Sequence, residues 1–303
     1  MKIKPGINDI LWMATGAAAL LACILMVWHF HSDVTPATQL AFKARRADLV
    51  GRMQLDLVSA SEAEKSAVLA ITDQDSQAFA DQARADSAKV EQARREMGEL
   101  LATGGTQGEK DLLAQFTTAF TEFRRIDKEL LALAVKNTNL KAYSLAFGPA
   151  ATALKEMDAA LARFMTDDVQ VLRLADNARI AAWRLLTLLP PHIAEEDEKK
   201  EDEMEAAMAA EDAQVRKNLE ALAKFSNDSA FVTAAAHYAE FSKLKTQIIA
   251  LSRENTNVRS LSISLHQKRK VMLVCQDALS ALQQAILVEP IAGITYGIPV
   301  SPR

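Results

Sequence analysis

One passage occurs twice in this chain, and the fold has to use it twice. Residues 122–147 read EFRRIDKELLALAVKNTNLKAYSLAF and residues 240–265 read EFSKLKTQIIALSRENTNVRSLSISL, a shift of 118 residues without a gap. Both copies hold an Asn-Thr-Asn triplet, at Asn137–Asn139 and Asn255–Asn257. Their apolar positions pair in kind: Phe120 with Tyr238, Phe123 with Phe241, Ile126 with Leu244, Leu130 with Ile248 and Leu133 with Leu251. A period above about 100 residues is too long for a short-repeat solenoid and signals two copies of a whole module. Apolar residues three, four and seven apart give a helix one buried stripe. Only 10 glycines and 8 prolines interrupt 303 residues, and the half that is hydrophobic is largely alanine and other small side chains. That composition suits closely packed helices. No stretch sustains period-two alternation, so no sheet is expected.

Ile10–Phe30 is a 21-residue apolar run without a charge. At about 1.5 Å per residue it spans a hydrocarbon core of about 30 Å. Trp12 and Trp28 sit near its ends, as an aromatic belt would place them, and Lys2 and Lys4 precede it, which favours a cytoplasmic N-terminus. A cleaved signal peptide is the alternative. Its apolar part is usually shorter and ends in a small-residue cleavage site, and none stands before His31. Leu20-Leu21-Ala22-Cys23 also has the look of a lipoprotein box, but cleavage there would leave Ile24–Phe30 as an apolar start. The reading is an uncleaved anchor.

Eight helices follow from the stripes and their breakers. The first opens at Pro36 and carries Met53, Leu57, Ala60 and Ala67. The second starts after the polar turn Asp73–Ser76 and ends at the glycines of 103–108. The third ends near Asn137. The fourth contains Gly148-Pro149, where a kink is expected. The fifth, Val169–Leu189, is stopped by Pro190-Pro191. The sixth runs to Phe225, the seventh to Glu254 and the eighth from Thr256 to Val288. The expected fold class is all-α: a single N-terminal transmembrane helix followed by two tandem antiparallel four-helix bundles. Residues 1–9 are the cytoplasmic N-terminus, 10–30 the anchor, 36–165 the first bundle, 166–288 the second, and 289–303 an extended tail. The triplets fall where a helical hairpin reverses, and they read as turn and helix cap.

Several classes of function lack a basis in the sequence. The net charge of −4 and the absence of a basic, aromatic-interleaved surface argue against nucleic acid. Cys23 and Cys275 have no metal or disulfide spacing. No Ser/His/Asp layout, HExxH, P-loop or GxGxxG in strand context is present. The expectation is therefore no catalytic residue, no metal and no cofactor.

Residues 36–165 resemble the four-helix-bundle sensory domain of bacterial chemoreceptors, or methyl-accepting chemotaxis proteins. The features are a membrane helix leading into helix 1, Glu64-Lys65-Ser66 within it, and Phe120 and Phe123 leading into Leu130-Leu131-Ala132-Leu133. A polar turn and the early Gly-Pro beside Phe147 complete the set. Residues 166–288 look like a diverged second copy, and the tandem layout is similar in size to helical bimodular domains that bind organic acids. The second membrane helix, HAMP linker and signalling coil of such receptors have no counterpart here. The arginine cluster that aspartate-type receptors carry on helix 1 is also missing, since Val58–Val68 offers only Lys65.

The resemblance implies a non-enzymatic sensor or binding protein, anchored in the bacterial inner membrane with its bulk in the periplasm. It would act through another membrane protein or complex, with a homodimer through helix faces and a small organic-acid ligand among its partners. Lys65, Trp183 and Arg184 are the candidate ligand-binding residues, the last two as an aromatic–cationic pair. The bland reading of that pair is core packing beside a surface charge. The acidic run Glu195–Glu205 reads as a solvated helix start, and Arg94/Arg95 and Arg124/Arg125 as solvated faces. The alternative function is a structural or accessory subunit docking through helix faces and the tail.

Overall fold

The computed structural model describes residues 35–163, 167–225 and 229–291. The anchor at 10–30 and most of the tail lie outside the described residues. Among the described residues there are six helical runs and no strand, and two of the runs are broken by Asn137 and Asn255. The eight resulting helices are α1 (Pro36–Leu69), α2 (Asp73–Gly104), α3 (Gln107–Ala134), α4 (138–162), α5 (Val169–Ala194), α6 (Glu198–Phe225), α7 (Ser229–Glu254) and α8 (256–288). The ends follow local chemistry. Thr35, Thr72 and Asp168 each accept a backbone N–H of the first turn, and Thr106 with Glu109 forms a capping box.

The two bundles are not consecutive stretches of chain. α8 packs on α3 and α1, while α4 packs on α7. Bundle 1 is therefore α1, α2, α3 and α8, and bundle 2 is α4, α5, α6 and α7. The core of bundle 1 joins Leu49, Met53, Met97, Phe116 and Phe120 to Cys275, Leu279 and Ile286 of the last helix. That of bundle 2 joins Leu154 and Met157 of α4 to Leu185, Leu222, Phe241 and Ile248. The division at residue 165 expected from sequence order thus differs from the division in space: the fourth helix of each repeat has changed places. The reason lies at the triplets. The chain does not reverse there. It runs on from α3 into α4 and from α7 into α8, each time passing from one bundle into the other.

Two local expectations also change. α5 continues through Pro190 and Pro191 to Ala194. Proline costs a helix its N–H bond, but the last turn carries fully buried His192 and Ile193, whose packing holds it. Gly148-Pro149 makes neither a turn nor a break. It lies in one wide turn of π-helix, 146–150, and α8 has the same feature at 263–268 without a proline.

One 18-residue window within Ser229–Val288 is long and apolar enough to cross a membrane, with mean hydropathy 1.5, and only 28 % of it is buried. α8 buries Cys275, Leu279, Leu282 and Ile286, and leaves Leu273, Val274, Leu287 and Val288 exposed.

Candidate functional site

Asn137 and Asn255 adopt left-handed backbone, φ 52° and 49°, the only non-glycine residues to do so among those described. Asparagine tolerates that region better than most residues. Neither side chain caps its own helix. The first N–H groups of α4 and α8 are capped by each other's triplet. Thr138 N–H donates to Thr256 Oγ1 at 3.2 Å and Thr256 N–H to Thr138 Oγ1 at 3.2 Å. Asn139 N–H donates to Asn257 Oδ1 at 3.2 Å and Asn257 N–H to Asn139 Oδ1 at 3.1 Å. Asn139 Nδ2 reaches Asn255 Oδ1 at 2.7 Å, and Asn257 Nδ2 reaches Asn137 Oδ1 at 3.0 Å. The triplets are helix caps as expected, but caps in exchange, and they pin the two bundles at a common waist.

Further bonds tie α5 to that waist: Asn139 Nδ2 donates to the Ile193 carbonyl and Asn255 Nδ2 to that of Glu195. Beside them the buried His192 ring bridges Ser252 at 2.7 Å and Glu205 at 3.0 Å. Arg253 gathers Glu201, Asp202 and Glu205. The acidic run is thus a solvated helix start only in part. Glu201 is buried, and burial raises its pKa against the pull of His192 and Arg253.

The sequence candidates fall in two places. Trp183 and Arg184 line a shallow groove on the outside of bundle 2, together with Arg179, Ile180 and Thr187 of α5 and Asp158 of α4. Trp183 packs half-buried against the bundle core and turns one side to the groove. Arg184 is exposed and lies 3.8 Å from Glu211. Arg179 bonds Asp158 at 2.5 Å and Asp176 at 3.2 Å; these acids, the Asp158 hydrogen bond first, hold its pKa up against desolvation. Lys65 stands apart in bundle 1, exposed and paired with Glu62 at 2.8 Å. The structure brings Trp183 and Arg184 to one surface and does not bring Lys65 to them.

Sequence reasoning missed the buried ions beneath the waist. Lys268, 1 % exposed, sits in the π-turn of α8. It donates to Asp127 of α3, lies 3.7 Å from Glu64 of α1, and stands 3.9 Å from the centre of the Phe123 ring. Glu64 is fully buried, and neither of its carboxyl oxygens has a hydrogen-bond partner. Burial raises its pKa, opposed by Lys268. A signal did exist, because each of these charges interrupts an apolar stripe. Lys268 precedes Cys275 by seven residues, Asp127 sits between Phe123 and Leu130, and Glu64 between Ala60 and Ala67.

At the far end of bundle 1 the two chain directions meet. Lys43 Nζ donates to the Leu287 and Glu289 carbonyls, and buried Arg46 is shared by Glu109 and Glu289. The first turns of α1 and the last turn of α8 are thereby clasped.

Residues 56–171, from the middle of α1 to the first turn of α5, match the family model described as a four helix bundle sensory module for signal transduction. No curated protein and no solved structure matches the chain. The resemblance to the chemoreceptor sensory module holds over that stretch, and the module is one of sensing rather than catalysis. Its four helices, consecutive in sequence, are divided here between two bundles.

Proposed function

We propose that this chain is the ligand-sensing part of a membrane signalling system. It would be anchored through residues 10–30 in a bacterial inner membrane, with both bundles in the periplasm and bundle 1 nearest the bilayer. The observation that carries this reading is the sensory-module match across α2, α3 and α4. The fold supplies a route for a signal. A small organic acid in the bundle 2 groove engages Arg179 and Arg184 over the face of Trp183, between α4 and α5. α4 is capped by the triplet of α8 at the waist, and α8 ends at the clasp with α1. A change in α4 therefore reaches the membrane end through one intervening helix. The exposed apolar face of α8, with Leu273, Val274 and Leu287, offers the surface for a homodimer or for the membrane partner that receives the signal.

Thermal unfolding of the purified full-length protein, screened against small organic acids, tests the reading. At least one acid is expected to raise Tm by several degrees, and Trp183→Ala with Arg184→Gln to abolish that rise. No stabilisation by any acid would remove the support. The same α8 face favours the second reading, a non-catalytic accessory subunit of a larger membrane complex. That reading requires co-purifying proteins to disappear when Leu273 and Val274 are replaced by Ser.

A further inference from the structure

On the outside of bundle 1, α3 presents Thr121, Arg124, Arg125 and Lys128 at i, i+3, i+4 and i+7, a single helix face. α2 presents Arg84 and Ser87 one turn apart, and the two helices enclose a groove of about 450 Å³. Four cations line it. The one acid in the lining, Asp127, is taken by Lys268 from the other side. Arg84 and Arg125 have partners on their own helices, Asp81 and Glu122, while Arg124 comes no nearer than 3.9 Å to Glu91. Lys128 has no carboxylate partner among the described residues. Ser87 is 6 % exposed, and its hydroxyl makes no hydrogen bond. Buried hydroxyls are normally satisfied, so an O–H donor is left over in the wall of a cationic groove.

We propose that this α2–α3 groove is a binding site for a small dianionic oxyanion, with Arg124 and Lys128 as its principal ligands and Ser87 as a hydrogen-bond donor. Guanidinium forks match the paired oxygens of carboxylate and of phosphate equally, and a lysine adds a point charge. The four-cation lining calls for two negative charges rather than one, and it offers nothing to a cation. Thr121 gives its proton to the Thr117 carbonyl, so it serves only as a wall. The groove has a consequence for the rest of the molecule because Asp127 belongs to it and also holds Lys268. Charge placed in the groove acts on the ion cluster that seats the π-turn of α8. The site is separate from the bundle 2 groove, and its test separates the two.

The full-length protein in detergent micelles is titrated calorimetrically with inorganic phosphate and, separately, with succinate, at constant ionic strength. In a Trp183→Ala, Arg184→Gln background that silences the bundle 2 groove, saturable binding of at least one is expected, weakened tenfold or more by Arg124→Gln with Lys128→Gln. Both substituted side chains are exposed, so Tm of the double variant stays within a few degrees and loss of binding is not loss of fold. Phosphate alone identifies an inorganic source, succinate alone a dicarboxylate. Binding of neither anion, or binding that survives the double substitution, overturns the proposal. Amide exchange at Ile263–Lys268 is expected to slow when the anion is bound; unchanged exchange would sever the groove from α8.

Discussion

The two exchanged helices, α4 and α8, are built alike and furnished differently. Both begin after a left-handed asparagine, both are capped in trans by the other's triplet, and both open into a π-turn at matching places, 146–150 and 263–268. Both expose an apolar residue there, Phe147 and its repeat equivalent Leu265. The residues inside the π-turns have diverged. Gly148-Pro149 in α4 is His266-Gln267 in α8, and the buried methyl of Ala150 is the buried ammonium of Lys268. The wide turn is therefore not a proline effect, since it persists without one. Geometry was kept where it joins the bundles, while a buried charge was placed in only one of the two π-turns. Bundle 1 holds its exchanged helix with a buried ion cluster, bundle 2 with apolar packing and the partly exposed pairs Asp158–Arg179 and Glu156–His237.

Lys268→Met breaks the comparison most severely. It leaves Asp127 buried without its partner, and removal of one member of a buried pair costs about 3–5 kcal/mol. Chemical denaturation followed by circular dichroism should show that loss, and Asp127→Leu in the same background should recover much of it. A loss below about 1 kcal/mol for Lys268→Met would mean that the cluster does not hold α8.

Replacing Asn137 or Asn255 by Ala forces a β-carbon without a compensating polar group into left-handed backbone, at a cost of about 1–2 kcal/mol. The effect should be equal at the two positions if the waist is symmetric. Unequal losses would locate the tighter half of the joint. Thr138→Val and Thr256→Val remove one trans cap each, about 1 kcal/mol apiece. Because the two hydroxyls serve one another, the double variant should lose less than the sum, and additivity would argue that they act separately.

The smallest effect is a difference in pH dependence. In bundle 1, burial raises the Glu64 pKa above its ordinary 4.5 against the pull of Lys268. The folded state then keeps its proton longer than the unfolded chain. The stability this provides is complete below about pH 4.5 and is lost as pH rises through the folded pKa. In bundle 2, burial also works to raise Asp212, but hydrogen bonds from Arg216, Tyr238 and Lys245 prevail and hold it at about 2, below its ordinary 3.8. Its stability is present above pH 3.8 and is lost as pH falls toward 2. Glu64→Gln should flatten the decline on the alkaline side of pH 4.5, and Asp212→Asn the decline on the acid side. If either variant kept the wild-type slope, that group would not be its source.

Much of this was legible in the chain. Helix ends at Thr72 and Thr106 follow from capping chemistry, which acts within a few residues, and those at Asn137 and Asn255 from asparagine's tolerance of left-handed backbone. The inward stripes follow from helical periodicity, and Trp183 and Arg184 share a surface because they are neighbours on one helix. The buried charges could have been noticed as breaks in those stripes, but not paired, since Asp127 and Lys268 stand 141 residues apart.

The sequence alone determined that there are eight amphipathic helices in two related sets, because periodicity, turn residues and breakers are local. Only the tertiary structure decided which helix completes which bundle. An apolar stripe demands burial without naming the surface that buries it, and α4 and α8 present stripes similar enough to serve either core. The choice was made at Asn137 and Asn255. There a single left-handed residue lets the chain run on rather than fold back, and the backbone donors this exposes are satisfied only when the two triplets meet across the waist.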